Sequence, residues 1–188
     1  MCKKNEIIPF NILLLGDKKV GKKTFLETYI GSSVLPQKFN KEKTYFSVEI
    51  NGLNFKVKYE YNNEASRIDY QLQSVNLVLL CFDMNNTDNF PNIKNSWFDS
   101  FKKSSCEKLV LLLGNNFGSD NTVIEDMQID NLNKTSSSYV NFTFEKLNFT
   151  DSVQVKEILE KYIELVYKED LGSKSTPNAS ASESCIVF

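Results

Sequence analysis

The sequence predicts an α/β fold: a mostly parallel six-stranded sheet with one antiparallel edge strand and helices on both faces. Three observations carry this. Short, almost fully apolar runs recur along the chain, as strands buried on both faces require. They alternate with stretches whose apolar residues fall at helical spacing. One Asn-Gly pair lies between two segments that alternate apolar and polar residues, the strongest short hairpin signal.

Each element follows in order. Residues 10–15 (FNILLL) read as the first buried strand, which ends at Gly16, and a helix is expected from Lys22 onward. Residues 45–50 (YFSVEI) and 54–61 (NFKVKYEY) form the hairpin around Asn51-Gly52. Residues 77–82 (LVLLCF) and 109–113 (LVLLL) are two more buried strands. Between them, Trp97, Phe98 and Phe101 share one helical face and read as packing residues. Residues 140–144 form a weaker sixth strand. Val155, Leu159, Tyr162, Ile163 and Val166 line one face of a helix over 151–167, with Thr150 or Asp151 as its cap. After Lys168 the chain turns to LGSKSTPNASASES, too poor in apolar residues to pack. Residues 1–169 are therefore expected to be the folded domain and 170–188 a flexible tail.

Composition removes several functions before any motif is considered. A chain of 188 residues builds a core without disulfide staples. Lys and Arg total 22 against 24 Asp and Glu, so the basic excess of a nucleic-acid binder is missing. With no histidine, every His-based triad, proton relay and zinc site is excluded. The first residues, MCKKNEIIPF, do not read as a secretory leader, and the apolar runs are too short to span a bilayer. Cys2, Cys81, Cys106 and Cys185 are thus expected to be reduced thiols in a cytoplasmic protein.

The sharpest chemical signal is Gly16-Asp17-Lys18-Lys19-Val20-Gly21-Lys22, which fits G-x-x-x-x-G-K between a buried strand and a helix. Glycines let backbone N–H groups close around a phosphate, the helix start adds its dipole, and the lysine adds a point charge. The next position should be Ser or Thr, to ligate Mg²⁺, and it is Lys23. Thr24 stands about 100° further round the helix, out of that place. The dense cluster Lys18, Lys19, Lys22 and Lys23 reads either as a solvated loop or as an anion site that works through ammonium groups in place of a metal.

The phosphate loop has a familiar setting. LLLGDKKVGKKT resembles the opening of the small GTPases, in the form used by the Rho and Rab branches. CFDMNNTDNFPNIKNSWF is similar to a Rho segment in which a Cys-Phe strand precedes a Trp-bearing helix, and LVLLLGNN to the strand leading to the guanine-reading motif. The terminal Cys185-Ile186-Val187-Phe188 resembles the prenylation box of the same families. The resemblance covers residues 8–168 and the last four, and implies a P-loop G-domain, Rho-like before Rab-like. It further implies protein effectors or regulators as partners of a monomer, and attachment to the cytosolic face of a membrane by a geranylgeranyl chain on Cys185. Cys2, beside Lys3 and Lys4, is a candidate for a second contact.

The same resemblance exposes departures. Pro36, Gln37 and Phe39 fall in the effector loop, with Gln37 where a metal-binding threonine belongs; Thr44 is the alternative. Tyr61, Asn62, Asn63 and Glu64 stand where D-x-x-G should, and Ala65 near the place of the water-orienting glutamine. Asn115 and Asn116 begin a degenerate guanine motif whose aspartate has become Gly118. Each lost charge-assisted contact to the base removes roughly 1.5–3 kcal/mol. The implied ligands are GTP or GDP at weak affinity, with no protein oxygen to hold Mg²⁺ and no catalytic residue. Two functions stay open: a prenylated pseudoGTPase acting as a binding module at membranes, and an active but divergent GTP-hydrolysing switch.

Overall fold

The first apolar run becomes β1 (Ile7–Leu15) at the centre of a six-stranded sheet of order β2-β3-β1-β4-β5-β6, in a computed structural model that describes residues 6–33, 44–105, 108–119, 122–138 and 140–174. β1 begins at Ile7 rather than at residue 10. Pro9 is tolerated because β1 pairs there with β3 (Leu53–Tyr61) alone and meets β4 (Leu77–Asp83) only from Ile12 onward. β5 (Val110–Asn115) and β6 (Phe142–Leu147) extend the parallel ladder. β2 (Tyr45–Ile50) pairs antiparallel with β3, and is the expected edge strand. The turn joining them has positive φ at both Asn51 and Gly52, the geometry that favours Asn-Gly.

Alternation along the strands sorts the core into two layers. Ile12, Leu14, Leu79, Cys81, Leu111 and Leu113 face α1 (Lys22–Ser33) and α6 (Ser152–Lys174). Leu13, Leu15, Val78, Leu80, Val110 and Leu112 face the opposite layer, with α2 (Asp69–Leu72) and α5 (Asp126–Ser136). That layer also holds a continuous helical stretch built of α3 (Phe90–Asn92), a π-helical turn (Ile93–Phe98) and α4 (Asp99–Lys103). Each fully buried Leu or Ile contributes roughly 1.5–3 kcal/mol, so both layers are needed to outweigh chain entropy. Trp97, Phe98 and Phe101 are all buried, as their spacing predicts.

Later elements differ from the sequence reading as well. β6 lies at Phe142–Leu147 rather than 140–144, because Glu145 near its end accepts hydrogen bonds from Lys161 and Tyr162 of α6, each 2.9 Å. α5 was not expected; Glu125 and Gln128 form a reciprocal capping box at its start. α6 is capped by Asp151, whose Oδ1 accepts from the N–H groups of Val153 and Gln154, and it runs on to Lys174, past residue 169.

Candidate functional site

The loop between β1 and α1 is shaped by what it must avoid. At Gly16 (φ +132°) a Cβ would stand 2.1 Å from the Cys81 carbonyl oxygen of β4, so only glycine fits. At Gly21 (φ +98°) a Cβ would meet the Asn115 amide nitrogen at 2.7 Å and the Phe149 ring at 3.0 Å. Between them Val20 is buried, while Lys18 and Lys19 are exposed. The loop thus wraps tightly over the ends of β4 and β5.

Lys22, the first residue of α1, lies beneath this loop with 7% of its surface exposed. Its Nζ donates to the Gly16 and Asp17 carbonyl oxygens, both at 2.7 Å. Burial pushes its pKa below the usual lysine value, and the nearby Cys81 and Asp17 partly oppose this. Among the described residues it forms no ion pair. A buried ammonium bound only to neutral carbonyls is an incomplete arrangement that an anion completes.

Asp17 does not neutralise it directly. Its Oδ1 accepts from Trp97 Nε1 at 3.1 Å and its Oδ2 from Asn92 Nδ2 at 2.9 Å. The helical stretch therefore grips the loop from the side, and Asp17 lines a neighbouring cleft of about 610 Å³ together with Glu64, Asp69 and Asp99.

Over the loop opens a separate cleft of about 350 Å³, lined by Lys19, Gly21, Lys22, Lys23, Thr24, Tyr61 and Asn63. It presents three ammonium groups, two hydroxyls, one amide and no carboxylate. Mg²⁺ requires oxygen ligands with at least one carboxylate or phosphate among them. The residues present do not fit it: Lys23 carries a cation where a metal-binding hydroxyl would stand, and Tyr61 closes β3 with a neutral phenol. Tyr61 is a neutral phenol at physiological pH, as an ordinary tyrosine is, and partial burial with the neighbouring Tyr59 and Glu27 raises its pKa further. Among the described residues no group of three or more His, Cys, Asp or Glu could hold a metal ion. Lys23 is largely solvated and pairs loosely with Glu27 at 3.6 Å. Thr24 is exposed.

The segment after Tyr61 is bolted down. Asn62 Nδ2 donates to Gln71 Oε1 at 2.8 Å, Gln71 Nε2 donates to Glu60 Oε2 at 3.2 Å, and the Asn62 N–H donates to the Leu14 carbonyl oxygen at 2.9 Å. Ile68, Leu72 and Val75 anchor the rest in the core.

On the far side of the loop, Asn115 is buried and its amide ties three segments together. Its Nδ2 donates to the Val20 carbonyl oxygen at 3.3 Å, while its Oδ1 accepts from the Phe117 and Phe149 N–H groups at 3.1 and 3.4 Å. Asn116 Oδ1 accepts from the Gly118 N–H at 3.0 Å. Phe149 is fully buried, its ring edge-on to Phe25 with centroids 5.2 Å apart. The loop residues Gly16 to Thr24 and Asn115 thus converge, whereas Pro36, Gln37, Phe39 and Cys185 lie outside the described residues. Sequence reading missed Asn92 and Phe149, which reach the site only through tertiary packing. The helical spacing around Trp97 also hid its polar contact to the loop.

No family model matches the chain. Among curated proteins it is 24% identical over 191 residues to the Ras-related protein Rab-3A of Homo sapiens, covering 92% of this chain and 80% of that protein. The Macaca fascicularis protein of the same name matches with the same identity and coverage.

Proposed function

We propose that this chain, whose fold and distant likeness to a Rab protein fit a small-GTPase G-domain, is a pseudoGTPase that serves as a protein-binding module at membranes. The observation that carries the reading is the phosphate-loop cleft: three lysines and a tyrosine, with no carboxylate. Phosphoryl transfer depends on a positioned metal and an oriented water. Lys23 and Tyr61 stand where metal ligands belong, and Ala65 offers no group to orient a water. The chain's own residues can still bind: loop N–H groups and Lys22 engage phosphate oxygens, so GTP or GDP is held weakly.

The second reading, an active GTP-hydrolysing switch, is favoured by the intact loop geometry and the buried Lys22. The bolted segment 62–75 argues against it, since a switch needs a segment that reorders with the nucleotide. Within the family, the Cys81-Phe82 strand followed by the Trp97 helix supports a Rho-like placement, and the similarity found is to a Rab protein. Effectors or regulators are the expected partners, with a geranylgeranyl chain at Cys185 as the membrane contact. A single-turnover assay with GTP and Mg²⁺ tests the reading, with cleavage expected at the uncatalysed rate. Mg²⁺-dependent cleavage that disappears in Lys22→Ala would refute it, as would stoichiometric GDP released from the purified, denatured protein.

A further inference from the structure

We infer that the phosphate-loop cleft is a metal-free oligophosphate site in which the Tyr61 hydroxyl donates a hydrogen bond to the bound phosphate. The inference rests on the phosphate-binding reading above and adds to it the identity of the group standing in for the metal. Tyr61 ends β3 and lines the cleft together with Lys19, Lys22 and Lys23. Its ring is fixed edge-on to Tyr59, with centroids 5.7 Å apart, which limits the positions its hydroxyl can reach. Tyr61 also lines a second cleft with Lys23 and Glu27, which sets it beside α1. A phenol kept neutral is a donor, as an anion requires; a carboxylate in the same place would need a cation between itself and the phosphate.

The charges agree. A metal-dependent site pairs its acidic ligands and the phosphate with a divalent cation. Here the acidic ligands are absent and ammonium groups line the walls, so Mg²⁺ adds repulsion to Lys22 and Lys23 without gaining a protein ligand. The cleft of about 350 Å³ lies at the small end of ligand-site volumes and has room for a diphosphate. The shared chemistry is a pair of linked phosphates, free or as the tail of a nucleotide.

Calorimetric titration of the full chain with pyrophosphate, GDP and ADP, each in excess Mg²⁺ and in EDTA, separates the possibilities. Wild-type protein should bind pyrophosphate equally in both buffers, within about twofold, and Tyr61→Phe should weaken binding by about tenfold or more, as loss of a hydrogen bond to a charged group does. Tyr61→Phe keeps the ring, and unchanged unfolding midpoints confirm that the fold is intact. GDP bound at least tenfold tighter than pyrophosphate and ADP would identify a nucleotide tail as the source; equal affinities would identify free diphosphate. Binding abolished by EDTA overturns the metal-free assignment, and unaltered affinity in Tyr61→Phe overturns the role of the hydroxyl. No binding of any of the three ligands by wild-type protein overturns the phosphate-site reading itself.

Discussion

At Lys22 a positive charge is kept under a loop by two carbonyl oxygens, and its proton is held less tightly than in the unfolded chain. The unfolded chain therefore binds more protons than the native state between the lowered native value and the ordinary lysine value of about 10.4. By linkage, the contribution of Lys22 to stability rises with pH through that window; the buried Cys81 thiol, raised to about 12, opposes it above about pH 8.5 in both proteins compared below. Urea denaturation between pH 7 and 10 should show wild-type protein gaining stability relative to Lys22→Met as pH increases. A flat or falling difference would contradict the burial argument. The comparison must stay below about pH 10, the ordinary tyrosine value. Above it Tyr29 and Tyr61, whose native pKa values are raised, keep protons that the unfolded chain has lost, and stability falls. Both proteins carry those tyrosines, so their difference isolates the lysine. Cys81, pushed up to about 12 by complete burial, is a packing group rather than a nucleophile.

The elements show where sequence information is local and where it is not. The hairpin was legible because Asn51 and Gly52 both adopt the positive φ their identities favour. The phosphate loop was legible because its residues are contiguous. β6 was misplaced because the partners that make Glu145 acceptable in a strand lie on α6. α5 was missed because Ile129 and Leu132 are its only buried apolar residues. The π-helical turn leaves no periodic signature, yet it carries Trp97, whose indole reaches Asp17. Asp17→Ala would leave that buried indole N–H without its acceptor, with an expected loss of about 1–3 kcal/mol. Asp17→Asn keeps an acceptor oxygen and should recover part of the loss. Trp97 is the only tryptophan, so urea titration followed by its emission reads the contact directly. Equal midpoints for Asp17→Ala and wild type would show that the contact contributes nothing. In the loop itself, Gly16→Ala forces a Cβ against the Cys81 carbonyl at a strained φ, and should destabilise by at least about 2 kcal/mol in the same titration.

For the molecule as a whole, the proposed binding module has to be placed where partners meet it. Among the described residues no helix is long and apolar enough to cross a membrane. The proposed contact is the lipid chain on Cys185, in a tetrapeptide whose terminal Phe favours geranylgeranyl over farnesyl. Such a chain contributes about 0.8 kcal/mol per buried CH₂, but stable anchoring takes a second signal. From Gly172 onward the sequence holds one lysine and one glutamate, so a polybasic patch to attract anionic lipids is missing. Membrane association is therefore expected to be reversible: a measurable share of wild-type protein in the membrane fraction of expressing cells, with the rest in the soluble fraction. Cys185→Ser should move nearly all of it to the soluble fraction, and a variant with lysines introduced into residues 175–184 should shift the other way. Unfolding midpoints equal to that of the wild type in both variants would separate loss of the anchor from loss of the fold. Equal membrane fractions for wild type and Cys185→Ser would refute the lipid contact while leaving the phosphate site untouched.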